Sequence, residues 1–213
     1  MMNLELDHIL ILTDKPKEAG DLLVLMGLKE SFSRDHKGQG TSNRRFEFSN
    51  GMLELLYVRD RDEANNGPAS NLKFPERTEN KTASPFGIVL NRTDDLTLDM
   101  PFGGWAYQPD YFESPNAFHI GNNSDQLDEP LCIYIPFMSP INRKEETGLF
   151  KFISNVQVLV PVDEFSDTLR VVQAADRVEI ESAGEHLVVL TLDRGCSGLS
   201  NDFRPALPLI INW

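Results

Sequence analysis

The sequence has 213 residues, with 33 Asp and Glu against 20 Lys and Arg, so its formal net charge is −13. A chain of this length can bury a sizeable core without metal or disulfide support, and its negative charge repels nucleic acid and anionic membrane surfaces. Its two cysteines lack C-x-x-C spacing and are too few for a disulfide framework.

The N-terminal stretch "LELDHILIL", residues 4–12, alternates in the manner of a β-strand. The alternation predicts one face made of Leu4, Leu6, His8, Leu10 and Leu12. Acidic residues precede a short apolar run, so we expect neither a signal peptide nor a membrane span, and we expect a cytoplasmic protein.

The next stretch, "TDKPKEAGDLLVLMG", is predicted to be a helix. Asp14 is the expected N-cap and Gly27 the expected stop, with apolar residues at helical spacing between them. The segment "LKESFS" is then expected to form a second strand, and a glycine-rich loop, "DHKGQGTSN", follows it. His36 lies in this polar loop and is interpreted as a solvated histidine.

The stretch "RRFEFSNGMLELLYV" reads as a hairpin, because Asn50-Gly51 is the strongest short signal for a two-residue turn. Such a turn pairs Glu47 with Glu54 on one face, where like charges repel. The Phe and Leu residues form the opposite face, which is the expected core. A ligand can therefore reach the face with the two glutamates and Arg45, and the cation between the glutamates is either a metal, Arg45 or a lysine from elsewhere.

The order strand, helix, three strands returns near the C-terminus, and a repeated unit is stronger support than any single element. There "FISNVQVLV" is a strand, Asp163 caps a predicted helix, and "RVEIES", "HLVVLTL" and "LPLIINW" are closing strands. Between the copies, "PFGIVLNR" and "PLCIYIPF" are predicted strands. The expected division is a first unit over 1–60, a loop insertion over 61–84, an irregular β-rich middle unit over 85–138, a linker over 139–149 and a second clear unit over 150–213.

Two further segments carry candidate binding residues. Trp105, Tyr107 and His119 lie in an aromatic, turn-rich stretch typical of a pocket wall, although ordinary core packing is the alternative. In "DHKGQGTSN", the glycines with Thr41 and Asn43 have features of an anion cradle. The alternative there is a crossover loop shaped by glycine.

The motifs "LDHILI" and "GQGTSNRRFEFSNGMLELLYV", together with the tandem units, resemble the glyoxalase-like domains of the vicinal-oxygen-chelate superfamily. The resemblance implies an α+β fold in which tandem βαβββ units curl into an incomplete barrel around a small-molecule pocket. It also implies a divalent metal, such as Zn, Mn, Fe or Ni, held by His8 and Glu54. Alignment of the units places other residue types at the matching positions: Gly87 or Asn155 for His8, and Cys132, Leu209 or Ile210 for Glu54.

The expected function is that of a small-molecule enzyme of lyase, isomerase or ring-opening type, or a dioxygenase-like one. Glu54 or Glu47 would act as general base beside an oxygen polarised by a metal or by Arg45. The alternative is a non-catalytic protein that binds or sequesters a small organic molecule, which the missing partner ligands favour. The pocket lies either within one chain or across a homodimer.

Overall fold

The computed structural model describes residues 4–93, 99–137 and 148–213. The first unit contains β1 (Leu4–Leu12), α1 (Pro16–Met26), β2 (Asp35–His36), β3 (Thr41–Phe48) and β4 (Gly51–Val58). The stretch that the sequence analysis treats as a loop insertion contains α2 (Arg61–Asn66), a 3-10 turn (Ser70–Leu72) and α3 (Phe74–Glu79). No helix in the described ranges is long and apolar enough to cross a membrane.

The middle unit adds four strands to the sheet of the first unit. These strands are β5 (Phe86–Arg92), β6 (Gly104–Tyr107), β7 (Phe118–Gly121) and β8 (Leu131–Tyr134). All eight strands form one sheet in the order β2-β3-β4-β1-β5-β8-β7-β6. In both units the first strand runs parallel to the last, and the antiparallel pair β1–β5 joins the units. The predicted α+β architecture, an incomplete barrel with an irregular middle unit, is confirmed.

The C-terminal unit forms a second sheet. Its elements are β9 (Ile153–Val160), α4 (Asp167–Val172), β10 (Val178–Ser182), β11 (Leu187–Leu192), β12 (Ser200–Asp202) and β13 (Leu209–Asn212). Strand β9 pairs with β10 and β11, whereas β1 pairs with the fourth strand of its own unit. The order of elements thus resembles that of the first unit, but the pairing differs. The predicted linker lies outside the described residues up to residue 147.

The C-terminal sheet packs against the outer face of the large sheet. One continuous hydrophobic core contains residues of both sheets. Arg177 reinforces this packing, since its guanidinium group donates to the carbonyls of Asn50 at 2.9 Å and Leu6 at 2.8 Å. The inner face of the large sheet is therefore left for a cavity.

The helix ends differ from the sequence prediction at their N-termini. Helix α1 begins at Pro16 with Lys15 as N-cap, not Asp14, because proline at the first helical position needs no hydrogen-bond acceptor for its nitrogen. Gly27 ends the helix with a φ of 104°, as predicted. In α4 the N-cap is Ser166, whose hydroxyl accepts from a backbone N–H three residues later, and not Asp163.

The edge of the large sheet is formed by different residues than expected. The segment "LKESFS" forms no strand, because only Glu30 makes a single bridge, to Phe46. The edge strand is β2, which folds back onto β3 through Gly38 and Gly40, both at positive φ. His36 is consequently buried, at 4% exposure, and the prediction of a solvated histidine is wrong.

Strand β1 contains a β-bulge between Leu6 and His8 in its pairing with β5. An extra residue reverses the alternation of side chains beyond it. The core on the outer face takes Leu4, Leu6, Ile9 and Ile11, and the cluster on the inner face takes Leu10 and Leu12. The predicted single face of five residues is therefore wrong, and Asp7 and His8 both line the cavity on the inner face.

The β3–β4 hairpin turns one residue earlier than predicted, at Ser49-Asn50, and this shifts the cross-strand pairing by two residues. Arg45 lies opposite Glu54, and Glu47 lies opposite Met52, so the predicted Glu47–Glu54 pairing is wrong. A shift of two residues keeps every side chain on its face. The predicted core face is confirmed by four buried residues, namely Phe46, Phe48, Leu53 and Leu55. The cation opposite Glu54 across the hairpin is Arg45.

Asn50 explains the observed turn, because its side chain is used to hold the C-terminal sheet. Its amide group donates to the carbonyl of Ile153 and accepts from the N–H of Ile153, both at 2.8 Å. The Asn-Gly signal was therefore correct about a hairpin, but the asparagine serves a contact 103 residues away in the chain.

We expect Asn50→Ala to lower the free energy of unfolding by about 1–3 kcal/mol, because both hydrogen bonds to the buried Ile153 are lost. Urea denaturation measures this change. Asn65→Ala, at an exposed position in α2, is the control and should change stability by less than about 0.5 kcal/mol. Equal effects of the two substitutions would contradict the docking role of Asn50.

Candidate functional site

A cavity of about 410 Å³ lies on the inner face of the large sheet. Its volume is in the usual range of pockets for small molecules. Among the residues that the structure describes, those lining the cavity lie between residues 7 and 135, in the first unit, the helical connection and the middle unit. The C-terminal unit contributes no lining residue.

One end of the cavity carries the charged side chains that the sequence analysis selected. His8 comes from β1, Arg45 and Glu47 come from β3, and Glu54 comes from β4. The three strands are neighbours in the sheet, and alternation along each strand turns these residues to the same face. The structure thus brings four of the predicted site residues together.

His8 lies between two carboxylates. Its Nδ1 is 2.5 Å from Asp7 Oδ1, and its Nε2 is 3.3 Å from Glu54 Oε2. Burial alone would lower the pKa of His8, but the hydrogen bonds to Asp7 and Glu54 outweigh it and raise that pKa. Burial would likewise raise the pKa of Glu54, but the hydrogen bond from His8 brings it to about 2. The arrangement favours a protonated imidazole beside an ionised Glu54.

Two further side chains hold the second oxygen of Glu54. The amide of the fully buried Asn43 donates to Oε1, and Arg45 Nε lies 3.7 Å from the same oxygen. Asn43 is itself fixed, because its carbonyl oxygen accepts the backbone N–H of Arg34 at 2.8 Å. A buried carboxylate needs this degree of pairing to remain ionised.

A chain of hydrogen bonds leads from Glu54 along the cavity wall. His36 Nε2 lies 3.3 Å from the Asn43 amide, and His36 Nδ1 lies 3.0 Å from Thr41 Oγ1. Burial lowers the pKa of His36 to about 4, so at neutral pH Nε2 accepts from Asn43 and Nδ1 donates to Thr41. Gln39 then links the Thr41 hydroxyl, at 2.9 Å, to the Tyr107 hydroxyl, at 3.3 Å.

Thr41 and Asn43 therefore differ from their predicted role. Both are fully buried, and neither is among the lining residues of the cavity. Their side-chain hydrogen-bonding groups contact other groups of the protein, including the backbone N–H of Arg34, so they orient the site and do not form an anion cradle.

The rest of the cavity wall is apolar and aromatic. The middle unit contributes Val89, Ile133 and Ile135, and the helical connection contributes Leu72 and Phe74. The aromatic lining residues are Phe74, Tyr107, Tyr111, Phe112 and Phe118. Burial raises the pKa of Tyr107, and it raises that of Tyr111 to about 12, so both hydroxyls stay protonated at neutral pH.

The donor set does not fit the metal that the resemblance implies. In the described ranges no three His, Cys, Asp or Glu side chains are grouped for an ion, whereas such sites usually use three or more protein ligands. Both nitrogens of His8 already face carboxylates. The matching strands of the middle unit present Val89 and Ile133 to the cavity, and Cys132 belongs to the core on the outer face.

Of the predicted aromatic wall, only Tyr107 lines the cavity. His119 lies between Phe118 and Ile120 on β7, which both line it, so His119 points to the opposite face and bonds the carbonyl of Phe102 at 2.8 Å. Trp105 shares the face of Tyr107, but its indole N–H donates to Ser124 at 3.2 Å and it does not line the cavity.

Several cavity residues were not predictable from the sequence. Asp7 was hidden by the bulge, and His36 by the polar composition of its loop. The remaining ones that matter for the chemistry are Arg34, Gln39 and Phe112. Arg34, however, could have been selected from the sequence, because its positive charge directly precedes the glycine-rich loop that contains His36.

The likeness of this chain to solved structures concerns the fold alone, because the sequence identities are 17% or lower. No family model and no curated protein matches the sequence. Among solved structures, a hypothetical protein from Staphylococcus aureus is similar over 99% of both chains, with 17% identity and a TM-score of 0.55.

Two further similar structures bear enzyme names. One is methylmalonyl-CoA epimerase in complex with methylmalonyl-CoA and NH4+, with 12% identity, 63% of this chain and 94% of that chain covered, and a TM-score of 0.38. The other is a mutant of 4-hydroxymandelate synthase from Streptomyces coelicolor, with 12% identity, 99% of this chain and 62% of that chain covered, and a TM-score of 0.47.

We expect Glu54→Gln to lower the pKa of His8, because one of the two carboxylates that favour its protonated form is removed. Titration of the imidazole resonances by NMR measures this pKa. Glu47→Gln is the matched control on the same face, since Glu47 forms no hydrogen bond or ion pair to His8. An unchanged His8 pKa in Glu54→Gln would contradict the ion pair.

The His8–Glu54 pair also predicts how the free energy of unfolding depends on pH. The folded-state pKa of Glu54 is depressed, so its contribution is present above pH 4.5 and is lost as the pH falls toward about 2. The folded-state pKa of His8 is raised, so its contribution is present below pH 6.5 and is lost as the pH rises through the folded value. Chemical denaturation should therefore show the largest difference in the free energy of unfolding between the parent and Glu54→Gln at pH 4.5 to 6.5. A difference that does not change with pH would contradict this prediction.

Proposed function

We propose that this protein is a small-molecule enzyme that moves a proton at a carbon next to a carbonyl group, as isomerases and some lyases do. The observation that carries the proposal is the His8–Glu54 ion pair, with Arg45 and Glu47 beside it, at one end of an apolar cavity. Charged groups in a largely apolar site interact strongly with charge that develops on a substrate.

Glu47 is the proposed general base. Its side chain is half-buried in the cavity wall and forms no hydrogen bond or ion pair within the described part of the chain. Glu54, in contrast, is held by His8, Asn43 and Arg45, and its pKa of about 2 makes it a weak base. We therefore assign Glu54 to positioning and Glu47 to proton transfer.

The proposed step balances without a redox partner. The Glu47 carboxylate takes a proton from the carbon next to the carbonyl, and the C–H electron pair forms a carbon–carbon double bond. The carbonyl π electrons move to oxygen, which becomes an enolate oxygen. Arg45, whose buried Nε has no hydrogen-bond partner, donates to this oxygen. Protonated Glu47 then returns the proton, to the same carbon or to the other end of the enolate.

A second candidate function is binding without catalysis. The observation that favours it is the wall of the middle unit, where Val89, Ile133 and Ile135 present no group that could take part in chemistry. In this case the charged end selects a ligand, and the apolar wall retains it.

The expected cytoplasmic location and the expected homodimer also stay predictions. Light scattering after size-exclusion chromatography tests the homodimer.

We expect the protein to accelerate deuterium uptake from D2O at the methylene carbon of an enolisable probe, either phenylacetone or phenylpyruvate. Glu47→Gln should reduce this protein-dependent exchange by about 100-fold or more, because the proton acceptor is lost. Proton NMR follows the loss of the methylene signal. Exchange should persist after treatment with a chelator, since the residues present do not fit a metal.

Glu18→Gln is the control, because Glu18 lies on the exposed surface of α1, outside the cavity. It should leave the exchange rate unchanged. Binding of the ketones without protein-dependent exchange would reject proton transfer and support the binding function.

A further inference from the structure

Two guanidinium groups of the cavity lining contact the same phenyl ring. Both Arg34 and Arg45 line the cavity, and both stack on the ring of Phe32. The guanidinium carbon lies 4.9 Å from the ring centroid for Arg45 and 5.7 Å for Arg34. Arg34 also lies 5.2 Å from the ring centroid of Tyr111, another lining residue.

These two arginines have few acidic contacts. Arg34 forms no ion pair within the described residues, and the nearest carboxylate to Arg45 is Glu54, at 3.7 Å, which already accepts from His8 and Asn43. The side chain of Arg45 is only 17% exposed, and its Nε is buried without a hydrogen bond. Four other arginines approach an acidic residue within 3.3 Å, namely Arg44, Arg61, Arg177 and Arg204, whereas Arg59 lies 3.6 Å from Glu63.

Two cations that converge on one exposed ring repel each other, and a buried guanidinium N–H without an acceptor lowers stability. An oxyanion between them would remove both costs. Phe32 is 55% exposed although it is a large apolar residue, so it is available as a surface on which the two planar groups, and an anion between them, can be held.

We propose that Arg34 and Arg45 form a carboxylate-recognition site, so that the ligand is a small carboxylic acid whose apolar body occupies the cavity. This inference rests on the proposed function, because it assigns a substrate class to the same site. In a 2-oxo acid, the carbonyl oxygen would face Arg45 and the adjacent carboxylate would face Arg34. The planar fork of each guanidinium matches the two oxygens of a carboxylate.

The charged residues that line the cavity favour a monoanion over a phosphate dianion. Glu47 and Glu54 line the same cavity, and each additional negative charge on the ligand would be repelled by both. The aromatic wall of Tyr107, Phe112 and Phe118 suits a flat apolar body.

The test compares 3-phenylpropanoate with 3-phenylpropanamide, which differ in charge at nearly constant shape, by calorimetric titration of the whole chain. We expect the acid to bind at least about 10-fold more tightly, a difference of about 1.4 kcal/mol. Arg45→Gln and Arg34→Gln should each remove most of this preference, and thermal unfolding confirms that the variants fold. Arg61→Gln is the control, because Arg61 pairs with Glu79 outside the cavity and should not alter the preference.

Equal binding of acid and amide, an acid that does not bind up to about 10 mM, or a preference that survives in both arginine variants would overturn the inference. Its failure is distinguishable from failure of the proposed function. Exchange that is equally fast with phenylacetone and phenylpyruvate would keep proton transfer and reject carboxylate recognition. Tight binding of the acid without exchange would keep carboxylate recognition and reject proton transfer.

Discussion

The ion pair between His8 and Glu54 is the interaction on which the rest of the site depends. A charge inside an apolar wall is tolerated only if it is paired and hydrogen-bonded. This requirement accounts for Asp7 behind the imidazole, for Asn43 and Arg45 on the second carboxylate oxygen, and for the neutral His36 that accepts from Asn43. The polar residues at this end of the cavity thus form one network that keeps two opposite charges in fixed positions.

The network also separates the two glutamates of the hairpin by function. They share a face, but Glu54 is saturated with donors, whereas Glu47 has none within the described residues. Burial, like charge and hydrogen bonding commonly give neighbouring carboxylates different roles. Here the difference comes from the hairpin register, because the position opposite Glu54 is held by Arg45 and the position opposite Glu47 by Met52.

The sequence predicted those features that depend on local alternation, and missed those that depend on distant contacts. The faces of β3 and β4 were predictable, because a shift of two residues preserves them. The bulge at Asp7 was not, since it arises in pairing with β5, about eighty residues further along the chain. The exact position of the hairpin turn was not predictable either, because it depends on the contact of Asn50 with the C-terminal sheet. His119 and Tyr107 could not be assigned to a face of the sheet from the sequence. Their strands have only four residues each in a turn-rich stretch, which is too short to show which residues alternate toward the core.

The bulge in β1 has a consequence for how this protein can change through evolution. Residues before and after it serve two layers at once, the core shared with the C-terminal sheet and the cluster around the cavity. Loss or gain of a single residue near Asp7 would turn every later side chain of the strand to the opposite face. Core residues would then face the cavity, and cavity residues would face the core. We therefore expect this strand to tolerate substitutions at the cavity but no insertions or deletions, so that ligand preference can drift while strand length stays constant.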